Sequence, residues 1–190
     1  MVSRYDIPSV SFPLRQGEVL CNLIEVTPAT SEIEDLSNET KTVPAYQTHY
    51  PFAIVVSQDC DLVWDWDARN QNQTEIGPNI ITHILFCELF EKQEVRYREG
   101  MNPRLWDWIE SNQHERYHHF DEAPIGESGE DSLPHLYADF KRTFSLPVDY
   151  TYWLISTDNS TRKAVLVNPY LRDFIHRLHS FLSRVPLPEQ

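Results

Sequence analysis

The residues best suited to chemistry follow a strand. Phe52-Ala53-Ile54-Val55-Val56 is a continuous apolar run that turns abruptly into Ser57-Gln58-Asp59-Cys60-Asp61. A run of this kind reads as a strand buried on both faces, and polar or reactive residues at its end stand at a sheet edge, where pockets form. Cys60 is a candidate nucleophile. Flanking Asp59 and Asp61 disfavour its thiolate by like-charge repulsion, so a nearby His or Arg would have to offset them. Arg116-Tyr117-His118-His119 contains such residues. A second chemistry is metal binding. Cys60, His83 and Cys87 offer soft or borderline donors, and Asp59 and Asp61 with one more carboxylate would suit Mg²⁺. No C-x-x-C or H-x-x-x-H pair anchors either set, so no metal and no cofactor is assigned. A third reading holds no chemistry: Cys60 is a small packed residue, while Ser57, Gln58 and Asp61 hydrogen-bond the turn. By the same logic, strand alternation would bury one of His118 and His119 and expose the other.

Charge compensation links the two segments. A carboxylate near a low-dielectric core is costly unless paired. The candidate pocket is therefore Ser57, Gln58, Asp59, Cys60 and Asp61 facing Arg116, His118 and His119.

These residues must be carried by a scaffold of many short elements. Thirteen prolines and five glycines punctuate the chain. Glu18–Val26 reads as a first strand after Gly17, Phe52–Val56 as a second, and Ile80–Cys87 as a third, with a helix as the alternative for the last. The stretch from Trp64 to Gln73 reads as a polar loop. Asn102 as cap and Pro103 in the first turn predict a short helix to about Ser111. Arg116–Phe120, Leu136–Leu146, Tyr152–Ile155 and Ala164–Val167 read as strands. Asn168 and Pro169 open a last helix over 169–184, which Pro186 and Pro188 stop. Leu171, Phe174, Ile175, Leu178, Phe181 and Leu182 form its apolar stripe.

Composition narrows the function classes. The chain has 190 residues, 41% hydrophobic and 12% aromatic, enough for one folded domain. No apolar run approaches the roughly 20 residues of a membrane span, and no h-region follows the N-terminus. Three cysteines without a pairing pattern predict free thiols and a cytoplasmic location. A net charge of −13 argues against a nucleic-acid footprint. Residues 161–190 hold five Lys and Arg against two acids, a local +3, so the rest carries −16. Acid concentrates at Glu32, Glu34, Asp35 and Glu39, and again at Asp121, Glu122, Glu127, Glu130 and Asp131, both solvated loops by pattern. The basic end reads as a helix packed on an acidic body, with an anion or acidic partner at Arg172, Arg177 and Arg184 as the alternative.

Arg15-Gln16-Gly17-Glu18-Val19-Leu20, followed after a loop by Ile54-Val55-Val56-Ser57-Gln58-Asp59-Cys60-Asp61-Leu62, resembles a group of uncharacterised bacterial proteins. That group shares a G-(D/E)-(I/V) opening strand and an S-Q-x-C-D-(L/I) strand end. Further echoes are Arg116-Tyr117-His118, Asp139-Phe140 and Arg184-Val185-Pro186-Leu187-Pro188. The layout of the first two strands is also similar to the small barrel of the MazF/PemK toxins. That likeness implies an SH3-like barrel with added helices and, as an activity, RNA cleavage. Tyr50-Pro51-Phe52 stands where the toxin pattern has Arg-Pro, and the acidic body lacks the positive groove such cleavage needs.

The expected fold is a single α+β domain over 1–190: a bent antiparallel sheet or small SH3-like barrel, short inserted helices and a packed C-terminal helix. The leading expectation for function is a binding or regulatory module that recognises a protein partner. A MazF/PemK-like ribonuclease and a hydrolase centred on Cys60 are the alternatives.

Overall fold

The longest strands carry the strongest apolar runs and form the centre of one sheet. The computed structural model describes residues 4–29, 44–71, 77–125 and 131–184. Its elements begin with β1 (Tyr5–Asp6), β2 (Glu18–Pro28), β3 (Ala45–Val55), α1 (Asp59–Asn70) and β4 (His83–Glu91). Then come α2 (Lys92–Arg96), α3 (Pro103–Glu110), β5 (Tyr117–Phe120), β6 (Ala123–Ile125) and β7 (Asp131–Leu133). The chain continues through β8 (Leu136–Pro147), α4 (Val148–Ser156), β9 (Thr161–Leu166) and α5 (Tyr170–Leu182). The acids Glu32, Glu34, Asp35, Glu39, Glu127 and Glu130 and the helix stops Pro186 and Pro188 lie outside the described residues.

Seven strands are ordered β1-β9-β2-β3-β4-β8-β5, and β6 pairs with β7 in a separate hairpin. Every pairing is antiparallel. Alternation along β3 serves two cores. Ile54 joins Phe140, Phe120, Phe174 and Leu178 on the α5 side. Ala53 and Val55 join Leu62 of α1, Phe86, and Val148 and Leu154 of α4 on the other. This two-sided burial is why the run is uniformly apolar. A third cluster, Val95, Trp106, Ile109, Tyr117 and Tyr137, seats α2 and α3 on the β5–β8 edge. The fold is thus α+β with an open antiparallel sheet. Edge strands β1 and β5 do not pair, so it is not an SH3-like barrel. The Arg4 side chain reaches across the gap and bonds Asp121. Among the described residues no helix is long and apolar enough to cross a membrane.

Two expected elements are corrected. The expected polar loop after Trp64 is helix α1, whose buried positions are Leu62, Asp65 and Ala68. Its inward stripe includes an acid, so the hydrophobic period is hidden. Asp65 accepts from Arg69 Nε at 2.7 Å and from the Ile81 N–H at 3.0 Å. The expected strand Tyr152–Ile155 lies in helix α4, which buries Val148, Thr151 and Leu154 at helical spacing. Strand-favouring residues there are overridden by packing. In α5 the N-cap is Pro169 rather than Asn168, and Leu182 is 55% exposed because Phe181 takes the inward position. Asn102 does cap α3, accepting the Leu105 N–H at 3.0 Å.

One buried charge fastens the β5 edge. Asp139 of β8 has no exposed surface. It accepts from Arg116 Nε and Nη2 at 2.7 and 2.6 Å, from Arg98 Nη1 at 2.7 Å and from the Lys141 N–H. Burial alone would push its carboxyl up, but these bonds hold it below the usual range. The stability it contributes is full above the unfolded value of about 3.9 and is lost as the pH falls through the native value.

Phe174 has no exposed surface and touches Phe120, Phe140 and His118. Phe174→Ala is expected to cost about 3–5 kcal/mol in urea unfolding. A cost under ~1 kcal/mol would show that α5 is not part of the core. Asp139→Asn is expected to cost about 3–5 kcal/mol at neutral pH by stranding two arginines. It should also flatten the loss of stability below about pH 4. A variant as stable as wild type at pH 7 would refute this role.

Candidate functional site

The two halves of the N-terminal motif meet. Gly17 N–H bonds the Val55 carbonyl at 2.9 Å, and Gln16 Nε2 bonds the Val56 carbonyl at 2.9 Å. Asp59 Oδ1 accepts the Gln16 N–H at 2.6 Å. Gly17 adopts φ +79°, and a Cβ there would lie 2.5 Å from Leu171 Cδ1, so the position needs glycine. Ser57 Oγ accepts the Leu85 N–H at 2.9 Å, which clamps the end of β3 to β4. Gln58 is the N-cap of α1, where its carbonyl accepts from Leu62.

A second lock lies under this junction. Buried Glu18 binds Arg162, with Oε2 to Nη2 at 2.9 Å and a further bond from Oε1 to Nε. Arg162 also bonds the Phe12 and Pro13 carbonyls at 2.7 and 3.0 Å, so it holds the 7–13 segment against the sheet. Burial pushes the Glu18 carboxyl up, and the Arg162 bonds oppose that shift.

Between this segment and α1 runs a groove of about 440 Å³. Ile7, Pro8, Phe12 and Pro13 line one wall, and Asp59 and Val63 the other, with Arg15, Arg162 and Val165 between them. Ile7 is 66% exposed, Phe12 65% and Val63 40%. Val10 and Trp64, each one residue along the chain from a lining residue, are exposed as well.

Cys60 stands on the outer surface of the first turn of α1. Its Sγ lies 3.6 Å from Gln58 Oε1 and 3.7 Å from Asp61 Oδ1. Among the described residues no His, Lys or Arg bonds it, and a cysteine nucleophile draws on such a base.

The structure does not bring Arg116, His118 and His119 to this groove. They lie at or beside β5, separated from β3 by β4 and β8. No hydrogen bond, ion pair or ring contact among the described residues joins the two sets. The expected pairing fails for a physical reason. Asp59 and Asp61 occupy the first turn of a helix, where the aligned backbone N–H groups supply positive charge without a basic side chain. Arg116 is committed to Asp139. His118 and His119 are both buried, correcting the expectation that one would be exposed. His118 packs on Phe120 and Phe174. Burial, with the Arg177 and His119 charges, pushes it down to about 3. His119 turns to the opposite face and stacks on Tyr137.

Cys60, His83 and Cys87 do not form a metal set. His83 and Cys60 are exposed, whereas Cys87 is fully buried with Sγ 3.5 Å from the Asp139 carbonyl. Among the described residues, the donors that converge are His119, Asp121 and His135. Sequence reasoning missed Asp121 and His135; the available signal was an H-x-D alternation opposite a second strand.

Comparison of the chain with family models, with curated proteins and with solved structures gives no match.

The three cysteines form no disulfide. Burial pushes the Cys87 thiol up, and Cys21 is half-buried. Under native conditions a chromogenic thiol reagent is expected to label Cys60 fastest and Cys87 only on unfolding. If Cys60→Ser leaves the fast phase intact, the surface placement of Cys60 is wrong.

Proposed function

We propose that the chain is a non-enzymatic binding module that docks an apolar segment of a protein partner in the groove beside α1. The observation that carries this reading is the ring of exposed large side chains, Ile7, Phe12 and Val63, around one cavity. Monomeric surfaces rarely leave such residues contiguous unless they bind something. The groove is also pre-organised. Its floor is tied by Arg162 to Glu18 and two carbonyls, and its far wall by Asp59 to Gln16. A rigid floor lowers the ordering cost of association.

Electrostatics favour a protein over a nucleic acid. Arg162 is consumed internally, Asp59 lines the groove, and the chain carries −13 overall. A phosphate backbone would meet one basic side chain, Arg15, in an otherwise apolar and acidic setting.

A random peptide library selected on the purified full chain is expected to yield apolar sequences. Phe12→Ser and Val63→Asp should each weaken the selected peptides by about tenfold or more, as measured by calorimetry. His179→Ala on the exposed face of α5 should leave the affinity unchanged. Peptides that bind Phe12→Ser and Val63→Asp as well as wild type would refute the groove.

A further inference from the structure

We propose that His119, Asp121 and His135 form a mononuclear site for a borderline divalent metal ion of the zinc type. The strand register creates the convergence. In the β5–β8 ladder His119 faces Tyr137 and Phe120 faces Leu136, so the next step outward sets Asp121 against His135. Alternation puts His119, Asp121 and their cross-strand neighbours Tyr137 and His135 on one face. One donor atom from each residue then falls within 4.8 Å of the others.

The spacing suits an ion. His119 Nε2 lies 3.0 Å from His135 Nδ1 and 3.9 Å from Asp121 Oδ1. Tetrahedral zinc with ligand bonds of about 2.0–2.1 Å separates its donors by about 3.3 Å, between those two distances. Two imidazoles and one carboxylate favour a borderline ion over Mg²⁺ or Ca²⁺, which prefer oxygen donors.

Two of the three donors are already oriented. His119 Nδ1 sits 3.0 Å from the Glu110 carbonyl and can only donate to it, which leaves the Nε2 lone pair facing His135 and Asp121. This is the outer-sphere bond that metal-binding histidines make. Asn112 clamps the His119 backbone on both sides, accepting its N–H at 2.6 Å and donating to its carbonyl at 2.9 Å. The Tyr137 ring stacks on the imidazole at 4.7 Å and 10°. Arg4 holds Asp121 Oδ2, leaving Oδ1 as the oxygen nearer His119.

In the metal-free geometry the His119–His135 contact is a hydrogen bond in which the Nδ1–H of His135 donates to the free lone pair. Metal entry replaces that shared proton, and His135 then carries its proton on Nε2. Three protein ligands leave one position of a tetrahedron open. His119 and Asp121 also line a cavity of about 220 Å³, together with Arg4, Tyr170 and His118. Among the described residues the Nδ1 of His118 is buried without a hydrogen-bond partner, an atom that a ligand in this cavity would satisfy.

The test uses full-length protein stripped with a chelator. Calorimetric titration with Zn²⁺ is expected to show one ion per chain, and Co²⁺ should produce the intense visible bands of four-coordinate geometry. Asp121→Asn, which preserves shape, and His135→Ala, which lies outside the strand, should each weaken Zn²⁺ binding by more than about 100-fold, beyond the usual loss for an outer-sphere partner. His83→Ala and His179→Ala should change nothing. Circular dichroism of each variant reports folding independently. Failure of wild-type protein to bind Zn²⁺ would overturn the site, as would equal affinity in folded Asp121→Asn and His135→Ala.

Discussion

A single desolvated carboxylate holds the working edge of the sheet. Asp139 is enclosed by Arg98, Arg116 and the Lys141 N–H, and a buried charge of this kind tolerates no missing partner. Its two arginines come from the connection after α2 and from the residue before β5. The charge therefore fixes the whole 92–120 excursion onto β8, and with it the position of His119. The opposite part of the sheet repeats the device. Glu18 and Arg162 join β2 to β9 and hold the segment that walls the apolar groove. Each candidate site thus rests on one buried ion pair: Arg162 itself lines the groove, whereas Asp139 lies two residues from Tyr137, which stacks on His119.

The basic C-terminal region takes its meaning from the same economy of charge. Arg177 donates to the Asn112, His114 and Tyr117 carbonyls, and Arg184 bonds Glu115. The local excess of positive charge largely fastens α5 to the turn before β5. The packed basic helix, rather than an anion-binding arm, accounts for these two arginines.

Elements whose cues are local were legible in the sequence. The Asn102-Pro103 start of α3 and the uniform apolar run of β3 are examples, since capping and two-sided burial leave direct marks on residue choice. Helices α1 and α4 were not legible, because Asp65 and Thr151 occupy inward positions and break the hydrophobic period. Ser57–Asp61 was recognisable as a strand end. Its partner is not legible, because the pattern shows a strand end at Ser57–Asp61 and a polar loop from Trp64, whereas a helix with a positive N-terminal end begins at Asp59. The His119–Asp121–His135 group depends on register across a hairpin insertion. His135 becomes a neighbour only once Phe120 is known to face Leu136.

The Asn112 amide has a further consequence. By occupying both backbone groups of His119, it removes from four-residue β5 the hydrogen-bonding template that an exposed edge strand offers to other chains. At the other margin β1 is only two residues long. A sheet with one margin blocked and the other truncated resists fibril-like stacking and offers little to a visiting strand. At these two margins strand addition finds little backbone to pair with, so a partner meeting the sheet there must read its side chains.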